Sequence, residues 1–172
     1  MDDRPLRRKY ARIERERRFV LDRLPPSVDP GEFERLDDLF VHGTHLRLRR
    51  VTSASGQWLA TKLGQKIVVA DAPGDARLRE MTTIYLPDDE GARLASSLDG
   101  LRATKRRYKV PEQGFTFCID VWEAPAAAAG IVVAEVEAES LEALEAIAAP
   151  SWATREVTDD VAFSAITLAA RG

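Results

Sequence analysis

Cysteine is almost missing: Cys118 is the only one among 172 residues, so no internal disulfide can form and no cysteine cluster can hold zinc. It reads as a small core residue. Histidine is nearly as scarce, with only His42 and His45; no His-Glu-x-x-His occurs, and both read as surface or rim residues. No apolar run reaches membrane-spanning length. The charged start, Met1 to Arg8, has no apolar stretch of the kind a secretory signal needs, so cytoplasmic residence without membrane association is expected. Neither a Gly-x-x-x-x-Gly-Lys-Ser/Thr loop nor a strand-linked Gly-x-Gly-x-x-Gly is present, which argues against P-loop and dinucleotide folds.

What is there is charge, placed unevenly. The net charge is only -3, from 25 Lys and Arg against 28 Asp and Glu. The bases gather in Arg4 to Arg23, Arg47 to Arg50, Lys62 to Lys66 and Arg102 to Lys109, and acids dominate from Asp120 onward. A nucleic-acid surface would interleave stacking aromatics with its bases, and Arg47 to Arg50 has none, so no nucleic-acid partner is expected. The length suits one domain, residues 1–172, with a core that needs no staple.

Two-residue alternation marks strands at about Tyr10 to Leu21, His45 to Val51, Trp58 to Ala70, Met81 to Leu86, Leu101 to Val110, Phe115 to Glu123, Ile131 to Ala138 and Thr154 to Thr158. That makes about eight, all compatible with antiparallel pairing. Asp29-Pro30-Gly31-Glu32 offers a capping Asp, Pro at the first helical position and a nearby Glu, which predicts a helix through about Phe40. Further helices are expected at Asp88 to Leu98, Ser140 to Ala149 and Val161 to Ala170. Pro25-Pro26, Ala72-Pro73-Gly74-Asp75 and Ala124-Pro125 mark turns or loops.

The alternation sorts charge by face. Glu14, Glu16 and Arg18 share one side of the first strand, opposite Ile13 and Phe19. Arg47 and Arg49 lie opposite Leu46 and Leu48, and Lys62 and Lys66 share a side with Gly64 between them. Lys105 and Arg107 form another basic pair, and Glu135 and Glu137 lie opposite Ala134 and Val136. One such strand is explained by a solvated sheet face. Whole strands carrying only acids or only bases suggest a shared interior, where the charges would have to neutralise one another and a ligand. Carboxylate pairs suit Mg²⁺ or Mn²⁺, which commonly complete their shells with phosphate oxygens.

The opening stretch Ile13-Glu14-Arg15-Glu16-Arg17-Arg18-Phe19-Val20-Leu21, followed by Leu24-Pro25, resembles that of the CYTH domains, or triphosphate tunnel metalloenzymes, whose signature is Glu-x-Glu-x-Lys. Further matches follow in order: Leu46-Arg47-Leu48-Arg49, Lys62-Leu63-Gly64-Gln65-Lys66, Thr83-Ile84-Tyr85-Leu86, Lys105-Arg106-Arg107-Tyr108, Ile119-Asp120-Val121-Trp122-Glu123, Ala134-Glu135-Val136-Glu137 and Glu156-Val157-Thr158. The resemblance implies an α+β, mainly β fold: an eight-stranded antiparallel barrel, or tunnel, with flanking helices. It further implies Mg²⁺ or Mn²⁺ on Glu14, Glu16, Asp120, Glu135 and Glu137. Arg47, Arg49, Lys62, Lys66, Lys105 and Arg107 become phosphate clamps, and Glu14, Glu16 and Arg18 the catalytic group. Glu156 is a further candidate inward acid. The implied activity is hydrolysis of a small-molecule triphosphate, such as inorganic tripolyphosphate or a nucleoside or thiamine triphosphate, by a monomer or homodimer. Adenylate cyclase activity on ATP and noncatalytic binding are the alternatives. Arg18 stands where the family has Lys, and Phe163 and Ala165 where it tends to have Tyr and Asn. A guanidinium grips phosphate as a fork but does not carry a proton as an amine can.

Overall fold

The computed structural model describes residues 9–172, so the charged start read as lacking a leader, Met1 to Arg8, lies outside the described residues. Among them nine strands form one antiparallel sheet: β1 (Arg12–Leu21), β2 (Glu34–Val41), β3 (Leu46–Ser53), β4 (Trp58–Val68), β5 (Leu78–Leu86), β6 (Gly100–Glu112), β7 (Phe115–Ala124), β8 (Val132–Glu137) and β9 (Arg155–Glu156). The order is β5-β4-β3-β2-β6-β7-β8-β1-β9, and an added pairing of β5 with β1 closes the first eight into a barrel. The short β9 extends β1 alone, opposite Phe19 and Val20. The protein is thus α+β, mainly β, with an eight-stranded antiparallel barrel.

Closure follows from how β1 divides its edges. Residues Arg12 to Arg15 pair with β5 and Glu16 to Leu21 pair with β8. One strand therefore bridges the two ends of the sheet. Eight strands enclose a space wide enough for one layer of side chains or one small ligand.

The helices are α1 (Asp88–Ser97), α2 (Leu141–Ala146) and α3 (Ala165–Ala169), with 3-10 turns at Ala126–Ala128 and Val161–Phe163. The expected helix at Asp88 to Leu98 is α1, and the one at Ser140 to Ala149 is a shorter α2, capped by the Ser140 side chain. The expected helix at Val161 to Ala170 splits into the 3-10 turn and α3.

The helix predicted from Asp29 through Phe40 is overturned. Asp29 does cap, but what it caps is a turn: its carboxylate accepts the Gly31 amide at 2.8 Å and its carbonyl accepts that of Glu32 at 3.2 Å. Beyond the turn the chain extends as β2, paired with β3 and β6. Phe33, Leu36 and Phe40 recur at the i, i+3, i+7 spacing of a helix. Two waiting neighbours with unfilled hydrogen bonds decide for the strand.

The hydrophobic core lies largely outside the barrel wall. Phe19, Phe117, Ile119, Ala134, Val136 and Leu144 are all essentially inaccessible, and α2 with the Trp152 region packs over them. A second cluster joins Phe40, Ala103, Trp122 and Val133, on the inward face, to Leu168 and Ala169 of α3, so the C-terminal helix closes that part of the barrel interior. Gly100 begins β6 where a Cβ would run into the carbonyl oxygen of Phe40 on β2. Gly100→Ala is therefore expected to pry apart that end of the pair and to destabilise by about 1–3 kcal/mol, measurable as a lowered urea midpoint.

Candidate active site

The alternation that buries Phe19, Ala134 and Val136 outward sends their sequence neighbours inward. A cavity of about 660 Å³ results, lined among others by Glu14, Glu16, Arg18, Arg47, Arg49, Lys62, Lys66, Arg107, Glu135 and Glu137. Ten side chains expected to share one interior therefore do share it. Gly64 lies between the two lysines on β4, and a Cβ there would press on Met81 Cε at 3.1 Å. His45 lines the cavity, while His42 is exposed, with Nδ1 3.4 Å from Asp99.

The charges inside are separated by sign. On one side carboxylate oxygens of Glu14, Glu16 and Glu137 lie within 4.8 Å of one another. Lys66 Nζ stands at 2.7 Å from Glu16 and 3.6 Å from Glu14, and Arg12 donates to Glu14 at 2.8 Å. Burial raises the Glu137 carboxyl above its usual range, and the negative charges of Glu14 and Glu16 raise it further. Such crowding favours a cation.

Opposite stand Arg47, Arg49, Lys62 and Arg107. Burial, reinforced by Arg49, Arg47 and Arg107, depresses the Lys62 ammonium below the usual lysine value. Burial likewise weighs on Arg47, followed by the charge of Arg49. This wall carries more positive charge than its acids cancel, which is the field that draws an anion.

Beneath the cavity lies an ionic floor. Asp38 accepts two hydrogen bonds from Arg49, at 2.6 and 2.7 Å, with Lys105 at 3.7 Å and Arg47 at 3.9 Å. Burial pushes the Asp38 carboxyl up, but Arg49, Arg47 and Lys105 outweigh it and hold the group well below the carboxylate range. Asp120 accepts from Lys105 at 2.7 Å and from Arg107 at 2.6 and 2.8 Å.

Four expectations change here. Asp120, read as a metal-side acid, is held by two cations away from the carboxylate trio and does not line the cavity. Lys105, read as a phosphate clamp, is 2% exposed, is held by Asp120 and Asp38, and does not line the cavity either. Glu156, a candidate inward acid, lies on the outer face, clasped by Arg17 at 2.9 and 2.7 Å. Glu135 lines the cavity but leans toward Arg107, at 3.3 Å, and stands apart from the trio.

Arg18 is committed as well. Its guanidinium donates to the carbonyl of Thr158 at 2.6 Å and to that of Phe163 at 3.4 Å, tying the C-terminal segment to β1. Sequence reading missed Asp38, which the false helix concealed. It also missed Arg79, which lines the cavity opposite Glu14 in register. Continuing the alternation of Met81, Thr83 and Tyr85 back by one step would have found it.

A closed eight-stranded antiparallel barrel with charged side chains on its inner wall is the fold that the motif resemblance implied. Among solved structures the chain is similar to the inorganic triphosphatase NE1496, also described as the hypothetical protein NE1496, at 22% identity over 91% of this chain and 97% of that one, with a TM-score of 0.55. It is also similar to a putative adenylate cyclase from Bacillus halodurans, at 15% identity over 79% of this chain and 86% of that one, with a TM-score of 0.52. The PH1819 protein from Pyrococcus horikoshii OT3 is comparable: 15% identity, 77% and 82% covered, TM-score 0.52. No protein-family model and no curated protein matches the chain in sequence.

Proposed function

We propose that this protein is a divalent-metal-dependent triphosphatase, which takes a compact triphosphate into its tunnel and hydrolyses the terminal phosphoanhydride bond. The observation that carries the reading is one cavity with a carboxylate trio on one side and a basic wall on the other. The fold it shares with the inorganic triphosphatase NE1496 adds support.

The donor set fits a hard cation. Three carboxylates converge within 4.8 Å, and a lysine ammonium already stands among them as a cationic substitute. Glu14, Glu16 and Glu137 would hold Mg²⁺ or Mn²⁺, whose chemistry when bound is to polarise phosphate oxygens and to acidify water. Arg47, Lys62 and Arg107 would bind the nonbridging oxygens, with Arg49 braced behind them by Asp38. Phosphoryl transfer depends chiefly on such positioning and charge stabilisation. Lys105 and Asp120 would act indirectly, by fixing Arg107 and Arg49 from below.

The test is phosphate release from tripolyphosphate, ATP and thiamine triphosphate with Mg²⁺ or Mn²⁺. Orthophosphate above the level of a Glu14→Ala, Glu16→Ala control is expected; none above it defeats the proposal. Cyclic AMP and diphosphate from ATP would instead indicate a nucleotidyl cyclase.

A second reading, a noncatalytic binder of triphosphates, is favoured by Arg18. Its guanidinium is engaged with backbone carbonyls and is unsuited to proton transfer. Tight metal-dependent binding without turnover would support it, and Arg18→Lys gaining activity would explain it.

A further inference from the structure

Lys66 is the member of the cavity whose position is hardest to reconcile with a simple phosphate clamp. Its Nζ lies 2.7 Å from Glu16 and 3.6 Å from Glu14, inside the carboxylate trio and not on the basic wall. The side chain is about one-third exposed, at 32%, while its two partners are 7% and 8% exposed. The acids are thus fixed in the wall, and the lysine reaches them on a flexible stem with open space around it. Gly64, its inward neighbour on β4, leaves that space clear.

An ammonium and a divalent ion compete for these oxygens, because both draw on the same carboxylate lone pairs and they repel each other. Lys62, four residues earlier on the same face, makes no salt bridge among the described residues and sits among Arg49, Arg47 and Arg107. The two lysines of β4 therefore differ in kind: one is a standing part of the basic wall, the other a counter-ion of the acids.

Resting on the triphosphatase reading, we infer that Lys66 is a built-in placeholder cation, which the metal must displace from Glu14 and Glu16 and which then becomes available to the triphosphate. The exchange links the two loadings. Metal entering alone loses the lysine's ion pairs, whereas metal entering with a polyanion gives the displaced ammonium a new partner. Empty, the trio stays neutralised and holds its geometry.

The experiment is a Mn²⁺ titration without phosphate, following loss of the free-ion paramagnetic resonance signal, on the full chain and three variants. Lys66→Met should bind Mn²⁺ about tenfold more tightly than the unaltered chain, a typical scale for coupled sites. Lys66→Arg, which keeps the cation, and Lys62→Met, which removes an equal charge from the same cavity, should both stay near the unaltered affinity. Lys66→Gln, a second neutral variant, should follow Lys66→Met even if the methionine disturbs the wall. With Mg²⁺ present, tripolyphosphate should raise the melting temperature of Lys66→Met less than that of the unaltered chain.

Unchanged or weaker Mn²⁺ binding by both neutral variants overturns the inference. Equal tightening by Lys62→Met also overturns it, because the effect would then be the general field of the cavity. Failure of every form to bind Mn²⁺ overturns both the inference and the metal requirement of the proposed function. Normal Mn²⁺ binding with no effect at Lys66 sinks the inference alone.

Discussion

Glu16→Gln is expected to lower metal-dependent phosphate release by at least about 10²-fold, the scale on which loss of one preorganised electrostatic anchor is felt. Glu16 is 6% exposed and lies within 4.8 Å of both Glu14 and Glu137, with Lys66 at 2.7 Å. The amide keeps the shape but removes the charge, and it leaves one oxygen where there were two. The trio then offers a hard cation a weaker field and poorer geometry. The fold should survive, because the residues that bury Phe19 and Val136 are untouched. Unchanged secondary structure by circular dichroism, together with lost phosphate release and weakened Mn²⁺ binding, is the expected pattern. Full activity in the variant would remove Glu16 from the chemistry.

Asp38→Asn is expected to act on the fold as much as on the site. The Asp38 side chain is fully buried and faces Arg49, Arg47 and Lys105. Removing its charge leaves buried Arg49 without its carboxylate partner, a loss of about 3–5 kcal/mol. For a chain of this size that corresponds to a melting temperature lower by roughly 8–15 °C. The pH dependence has a definite sign. Arg49 and its neighbours depress the folded-state carboxyl below its ordinary value of 3.8, so the stabilisation is fully present above that value and is lost as pH falls through the folded one. The gap between the unaltered chain and Asp38→Asn should therefore be wide near neutrality and narrow only in strong acid. An Asp38→Asn melting curve that overlays the original would contradict the ionic floor.

Much of this was legible in the chain because a strand's period is two. Glu14, Glu16 and Arg18 could be assigned to one face and Phe19 to the other from spacing alone, and the ten cavity-lining residues followed from the same rule. The rule fails where it has a competitor. Between Phe33 and Phe40 the apolar residues fall at helical spacing, so β2 and with it Asp38 went unseen. Periodicity also gives a side without a depth. Lys105 and Arg107 look alike in sequence, yet Arg107 lines the cavity and Lys105 lies under it, because a register shift between Thr104 and Lys105 and the pairing with Asp120 set how far in each one reaches. Glu156 fell outside because β9 is two residues long and its acid had a partner, Arg17, on the outer face.

The outward placement of the main hydrophobic core bears on how such a protein can change. Adjacent letters of β1 and β8 answer to separate demands: Phe19, Ala134 and Val136 hold the layers together, whereas Glu14, Glu16, Glu135 and Glu137 meet whatever enters. Acids of the lumen such as Glu14, Glu16 and Glu137 can be exchanged without opening a hole in the outer packing. Descendants of one barrel are thereby free to try new ligands while their stability stays nearly constant. An insertion of a single residue has the opposite effect, since it would turn both sets to the wrong side at once.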